Sequence, residues 1–158
     1  MSVFLIQTNG REISEDAKPE YIQGAIGPTF VDEPLQHHRY FNAAPYWKRE
    51  GYERRDAWQA ATTGDTAILY CSSSVEEHPT CISHLLPIAD KQIDADGASL
   101  EFETPIEIEP KITYQEIQRL VNQGEFSEKM GYCGQQGFNF TQVTDSDLDK
   151  INELTNQV

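Results

Sequence analysis

The sequence is poor in positive charge. Its 158 residues hold six lysines and six arginines against 26 acidic residues, a formal net charge of −14. Such a surface stays soluble and repels polyanions at long range. It therefore opposes indiscriminate binding to nucleic acid. Two consequences stay open at this point. The chain either keeps away from nucleic acid, or it works at high salt, where the Debye length falls to about 3 Å and only contact charges act. Few lysines beside many acids is the pattern of a salt-adapted surface, so a halophilic source is one expectation.

Long apolar runs are also missing. A membrane-spanning helix needs about eighteen or more consecutive apolar residues, and no such run occurs. The opening residues, MSVFLIQTNGRE, lack a basic n-region and a long apolar core, so they read as a strand and not as a signal peptide. Cysteine is scarce. There are three, at 71, 81 and 133, with no CxxC pair. An odd count without paired spacing argues against a disulfide framework and fits a reducing, cytoplasmic setting. No GxSxG elbow, P-loop, GxGxxG or HExxH occurs, so nothing names a reaction. The expectation is a protein without enzymatic activity and without a cofactor.

What is present is enough for a core. Hydrophobic residues make up 38% and aromatics 10%, which favours a folded chain over a disordered one. The length suits one domain over residues 1–158. Residues 2–8 read as an apolar strand with Asn9-Gly10 as a turn signal. Residues 9–45 carry Gly and Pro breaks and look like loop with short elements. A helix is predicted from Glu53 to Ala61 with Gly64 as its stop. TAILYCSS (66–73), TCISHLLPIAD (80–90) and ASLEFETPIEI (98–108) read as strands, with ADG as a turn before the last of them. Alternation in SLEFE puts Leu100 and Phe102 on one face and Glu101 and Glu103 on the other.

A second helix starts at Thr113, with Glu116 completing a capping-box pattern, and ends at Gly124. Ile117, Leu120 and Val121 form its buried stripe. GFNFTQV (137–143) is a last strand. TDSDLDKINEL is a final helix capped by Thr144, with Leu148, Ile151 and Leu154 or Thr155 inward. Its acids, DSDLD, are read as a helix start favoured by the dipole and not as a cation site.

Cys71, His78, Cys81 and His84 invite a metal reading. Their spacing, C-x6-H-x2-C-x2-H, is not that of a zinc site. On a strand, Cys81 and His84 would face opposite sides. Core cysteines and surface histidines are the plainer account, and no metal is assigned.

One window departs from the acidic background. From His37 to Trp58 it holds Arg39, Lys48, Arg49, Arg54 and Arg55 with only three acids, a net of +2, which leaves −16 for the remainder. Tyr40, Phe41, Tyr46, Trp47, Tyr52 and Trp58 are interleaved with these charges. Cations for phosphate beside ring faces for bases is what nucleic-acid recognition needs. Trp58 falls on the inner face of the helix and reads as core. Trp47, after a proline and among polar residues, stays open between core and binding surface.

Three segments then carry a resemblance. FLIQTN (4–9) is close to FLIKSN, the first strand of YTH domains. YWKREGYERRDAWQAATTGDTAILYCSS (46–73) resembles a block in which a cage tryptophan precedes a short basic helix and an apolar strand, with Gly64-Asp65 in the EVE-like form. ETPIEIEPKITYQEIQRLVNQ (103–123), followed by GYCGQQGFNFTQVTDSDLDKINEL (131–154), is similar to an EVE C-terminal half. In this order the chain resembles the EVE and YTH group of modified-nucleotide readers, within the PUA-like fold. The resemblance implies an α+β domain, a PUA-like curved sheet or small β-barrel flanked by helices. It implies a non-enzymatic reader that holds a modified base in an aromatic pocket.

Residue by residue, Trp47 stands where the cage tryptophan stands. Gln7, Thr8 and Asn9 line the pocket from the first strand. Tyr70, Cys71 and Ser72 line it from the strand end beside the cage. Arg39, Lys48, Arg49, Arg54 and Arg55 would hold phosphates. The second YTH cage tryptophan has no equivalent after Cys81; Tyr132 or Phe138 would replace it. The lysine of some YTH first strands is Gln7 here. These departures argue against assuming N6-methyladenine in RNA; the expected ligand is a 5-methylcytosine-type base in DNA. An RNA-binding PUA-like module that reads modified RNA is the alternative. The resemblance also implies a nuclease partner in a modification-dependent restriction or defence system.

Overall fold

The computed structural model describes residues 1–8, 22–23, 39–43, 53–71, 80–93, 97–133 and 140–155. In chain order the elements are β1 (Val3–Thr8), β2 (Ile22–Gln23), β3 (Arg39–Ala43), α1 (Glu53–Ala60), β4 (Thr66–Cys71), β5 (Cys81–Ile93), β6 (Gly97–Phe102) and β7 (Ile106–Thr113). Then come α2 (Tyr114–Asn122), a 3-10 turn (Glu128–Tyr132), β8 (Phe140–Val143) and α3 (Asp145–Leu154).

The strands form one mixed sheet in the order β2-β3-β6-β5-β4-β1-β8, with β7 pairing β5 off that path. Among the described residues the sheet does not close, so the curved sheet, and not the barrel, is the form observed. β5 is long enough to serve both halves. Its first part pairs β4 and β7, its second part pairs β6. Register shifts at Leu69/Tyr70 and at Ile88/Asp90 bend it between them, as bulges do.

β1 and β4 carry unbroken apolar runs, Val3 to Ile6 and Ala67 to Tyr70, because both of their faces are covered there. Val3, Leu5, Ile68 and Tyr70 face one core with Ile117 and Leu120 of α2, Met130 of the 3-10 turn, and Leu148 and Ile151 of α3. Phe4, Ile6, Ala67 and Leu69 face a second core with Ala57, Ala61, Leu100 and Phe102. The predicted alternation in β6 holds: Leu100 and Phe102 are buried, while Glu101 is half-buried and Glu103 exposed. The single strand expected over 98–108 is two strands instead, interrupted at Glu103–Pro105. Pro105 has no N–H to continue a ladder.

Thr113 caps α2 by accepting from Glu116 N at 3.3 Å. The reciprocal bond of a capping box is not made there, because the Glu116 carboxylate pairs with Arg119. At α3 both halves of the box exist, between Thr144 and Asp147. After α1 the chain turns through Gly64, at φ +95, where only glycine is relaxed. Asp65, buried, accepts from Thr62 N and Ser2 N, each at 2.9 Å. The Gly64-Asp65 pair thus fastens the beginning of β4 to the beginning of β1. No helix among the described residues is long and apolar enough to cross a membrane.

Candidate nucleic-acid interface

β1 and β4 run parallel in direct register, Gln7 beside Tyr70 and Thr8 beside Cys71. Two residue groups far apart in the sequence therefore meet at one end of the sheet. The same end receives the start of β5, where Cys81 pairs Cys71 and Ile82 pairs Tyr70. It also receives the end of β7, where Thr113 pairs Cys81, and the start of β8, where Phe140 pairs Ile6.

Gln7 is 5% exposed and its Nε2 donates to the Tyr132 carbonyl at 2.8 Å. Tyr132, one of the two aromatics offered for the second cage wall, is thereby brought to the end of β1. Tyr70 is fully buried in the first core. Beside Tyr132, Cys133 is buried, and burial pushes its thiol well above the usual cysteine range, with the Asp147 charge adding to the effect. A thiol held protonated in this way is a poor nucleophile.

α1 is anchored at the other end of the sheet. Gln59 O accepts from Lys91 Nζ at 3.3 Å, and beyond the helix Gly64 N donates to Ile88 O at 3.0 Å. The first turn, which contains Arg54 and Arg55, is the end of the helix further from that anchor. Cations at a helix N-terminus oppose the dipole, whereas phosphate there is favoured twice, by the dipole and by the arginines.

No family model matches the sequence, and no curated protein matches it. Solved structures do. Human THYN1 protein, in complex with 5-methylcytosine containing DNA, superposes with a TM-score of 0.63 at 15% identity, over 98% of this chain and 97% of that one. The DUF55 domain of human thymocyte nuclear protein 1 gives 0.63 at 13% identity, over 96% of each chain. Rpa0253 from Rhodopseudomonas palustris gives 0.63 at 11% identity, over 100% of this chain and 95% of that one. The chain has an EVE-like fold. Its α+β, PUA-like architecture is the one the resemblance implied.

The predicted site residues of the EVE-like domain fall into three groups. Gln7 and Tyr70 are described in full and are neighbours. Thr8 and Cys71 are placed by their backbone, beside Gln7 and Tyr70. Arg39 is placed by its backbone opposite Glu101 at the β3–β6 pairing, and Arg54 and Arg55 by theirs in α1. Asn9, Trp47, Lys48, Arg49, Ser72 and Phe138 lie outside the described residues, as does the side chain of Trp58. Asn9 directly follows Thr8, Ser72 follows Cys71, and Phe138 precedes Phe140 by two residues.

Of the proposed metal ligands, Cys71 and Cys81 are register partners and His78 lies outside the described residues. His84 departs from the expectation of a surface histidine. It is 9% exposed, its Nδ1 hydrogen-bonds Ser83 Oγ at 2.8 Å, and its Nε2 is 4.0 Å from Glu107. A polar ring is stable in that position because β5 and β7 supply partners for it.

The sequence reading missed two elements of the site. The Tyr132 carbonyl carries no residue-type signature, since every residue has one. Asp147 had a signal, the T-x-x-D spacing from Thr144, but its burial follows from a partner twenty residues away, Ser127.

Proposed function

We propose that this chain is a non-enzymatic reader of a modified base of the 5-methylcytosine type in DNA. The observation that carries the proposal is the parallel β1–β4 register, which joins Gln7-Thr8 to Tyr70-Cys71 at one end of the sheet. The superposition on a protein bound to 5-methylcytosine containing DNA supports the choice of ligand. In this scheme Gln7 and Tyr70 form the floor, Trp47 the aromatic wall, and Arg39, Lys48, Arg49, Arg54 and Arg55 the phosphate contacts.

A buried methyl is worth about 0.8 kcal/mol, about a fourfold preference over the unmodified base. Stacking on Trp47, about 1–3 kcal/mol per base, offsets the few kcal/mol needed to extrude it. A nuclease partner that acts on the bound DNA belongs to the same proposal.

The test is tryptophan fluorescence quenching by matched DNA and RNA oligonucleotides, with and without 5-methylcytosine. Preference for modified DNA is expected, and Trp47→Ala is expected to weaken binding about fivefold or more. Preference for modified RNA would replace DNA with RNA as the ligand. Unchanged binding by Trp47→Ala would remove the pocket.

A further inference from the structure

Cys71 is the last residue of β4 and Cys81 the first of β5. The antiparallel β4–β5 ladder makes them direct partners, in unbroken register with the neighbouring pair, Tyr70 and Ile82. Residues directly opposite in such a ladder have Cα atoms about 4.5–5.5 Å apart. A disulfide spans about 4.4–6.8 Å between Cα atoms. The backbone therefore already stands at the spacing of a cross-strand bond. Tyr70 and Ile82 both face the first core, so strand alternation assigns positions 71 and 81 to the other face of the sheet. Cys81 is buried there at the rim of the ladder. Cys133, the third cysteine, belongs to the first core. The sheet thus brings two of the three cysteines together and separates the third from them.

We propose that Cys71 and Cys81 form a reversible disulfide, driven by a low-molecular-weight disulfide of the glutathione type. The inference goes beyond the reader function and does not depend on it. The thiolate of one cysteine attacks glutathione disulfide, forms a mixed disulfide and expels a glutathione thiolate. The thiolate of the other then attacks the protein sulfur of that mixed disulfide. The Cys71–Cys81 bond forms and a second glutathione thiolate leaves. Two protein thiols are oxidised, one glutathione disulfide is reduced to two thiols, and the two protons pass to the glutathione released. Burial slows attack from solvent, but the second step needs only a sulfur on the neighbouring strand, and strand ends open more readily than strand centres. Cys71 keeps its place at the end of β4 in both states, because the ladder and not the bond sets the backbone. In a reducing setting a bond of this kind is transient and responds to redox poise.

The test is a disulfide map of the full chain. Reduced protein is incubated with glutathione disulfide, denatured, alkylated, and cleaved after glutamate without reduction. Glu76 and Glu77 lie between Cys71 and Cys81, and Glu101 and Glu128 between Cys81 and Cys133, so the three cysteines fall in separate peptides. One linked pair is expected, Cys71 with Cys81, lighter by two hydrogens than the two free peptides together, with Cys133 alkylated. Excess reduced glutathione is expected to reopen it. The oxidised chain is also expected to unfold at a higher urea concentration than the reduced chain, because the bond constrains the unfolded state. Recovery of Cys71 and Cys81 on separate peptides, alkylated or carrying glutathione, would overturn the inference. So would a bond to Cys133, or a bond that excess reduced glutathione leaves intact. A lower urea midpoint for the oxidised chain would overturn it too, since the bond would then distort the ladder instead of fitting it.

Discussion

Asp147 shows how much one side chain can organise. It is fully buried, and its carboxylate accepts from Ser127 N and Oγ at 2.7 Å, Thr144 N at 3.0 Å and Thr144 Oγ1 at 2.8 Å. A buried carboxylate is tolerable only when its oxygens are satisfied in this way. Truncation leaves four donors without their acceptor. Asp147→Ala is expected to cost about 3 kcal/mol, by the unsatisfied-donor penalty for charged partners. The check is urea unfolding: the midpoint should fall while the slope stays constant. A loss below about 1 kcal/mol, within the range of a single ordinary hydrogen bond, would show that water replaces the carboxylate there.

β7 is the element with the least regular pairing. Its ladder to β5 passes from Ile82–Ile112 to His84–Glu107, so Ile108 to Lys111 form a bulge opposite Ser83, with Ile108 buried in the first core. Pro110 lies in the bulge, where its missing N–H costs no ladder bond. Lys111 closes the bulge by donating to Ile108 O at 2.8 Å while pairing Glu107 at 3.1 Å and Glu109 at 2.9 Å. The Lys111 ammonium, by hydrogen bond and by charge, holds the Glu107 carboxyl below the ordinary glutamate range, with Glu109 and His84 adding to the effect.

A folded pKa below the unfolded one stabilises the protein above the unfolded value, and the gain is lost as pH falls through the folded value. Glu107 is 61% exposed, so the pair is screened. Its contribution is about 0.5 kcal/mol at neutral pH. Lys111→Met is expected to remove that amount at neutral pH. The difference from wild type should shrink as the pH is lowered through the acidic range. Thermal unfolding at a series of pH values measures it. A difference that grows towards acid would reverse the assignment.

At the scale of the molecule, the −14 charge acts against the fold. Self-repulsion destabilises a compact state, and salt screens it. Surface pairs such as Lys111 with Glu107 and Glu109, Arg119 with Glu116, and Lys150 with Glu125 and Glu153 offset it only locally. The unfolding midpoint is therefore expected to rise between about 0.05 and 1 M sodium chloride, as the Debye length shrinks from more than 10 Å to about 3 Å. Calorimetry across that series checks it. A falling midpoint would mean that these pairs outweigh the repulsion, and would count against a salt-adapted surface.

Most of the elements could be read from sequence because they rest on local physics. The apolar run 3–8, the alternation in SLEFE, the caps at Thr113 and Thr144, and the stop at Gly64 each follow from neighbouring residues. The site was readable only in part, and through resemblance. Periodicity says that Gln7 ends one strand and Tyr70 another, but not that the strands are parallel neighbours in register. That pairing belongs to the sheet, as does the meeting of Asp147 with Ser127 and of Gln7 with a backbone carbonyl 125 residues away. The sequence by itself determined where the chain is helical, extended or turned, because those choices are made within a few residues. The tertiary structure alone decided which strand ends stand together and which polar groups satisfy one another, because hydrogen bonding and burial are settled between surfaces that meet only once the chain has folded.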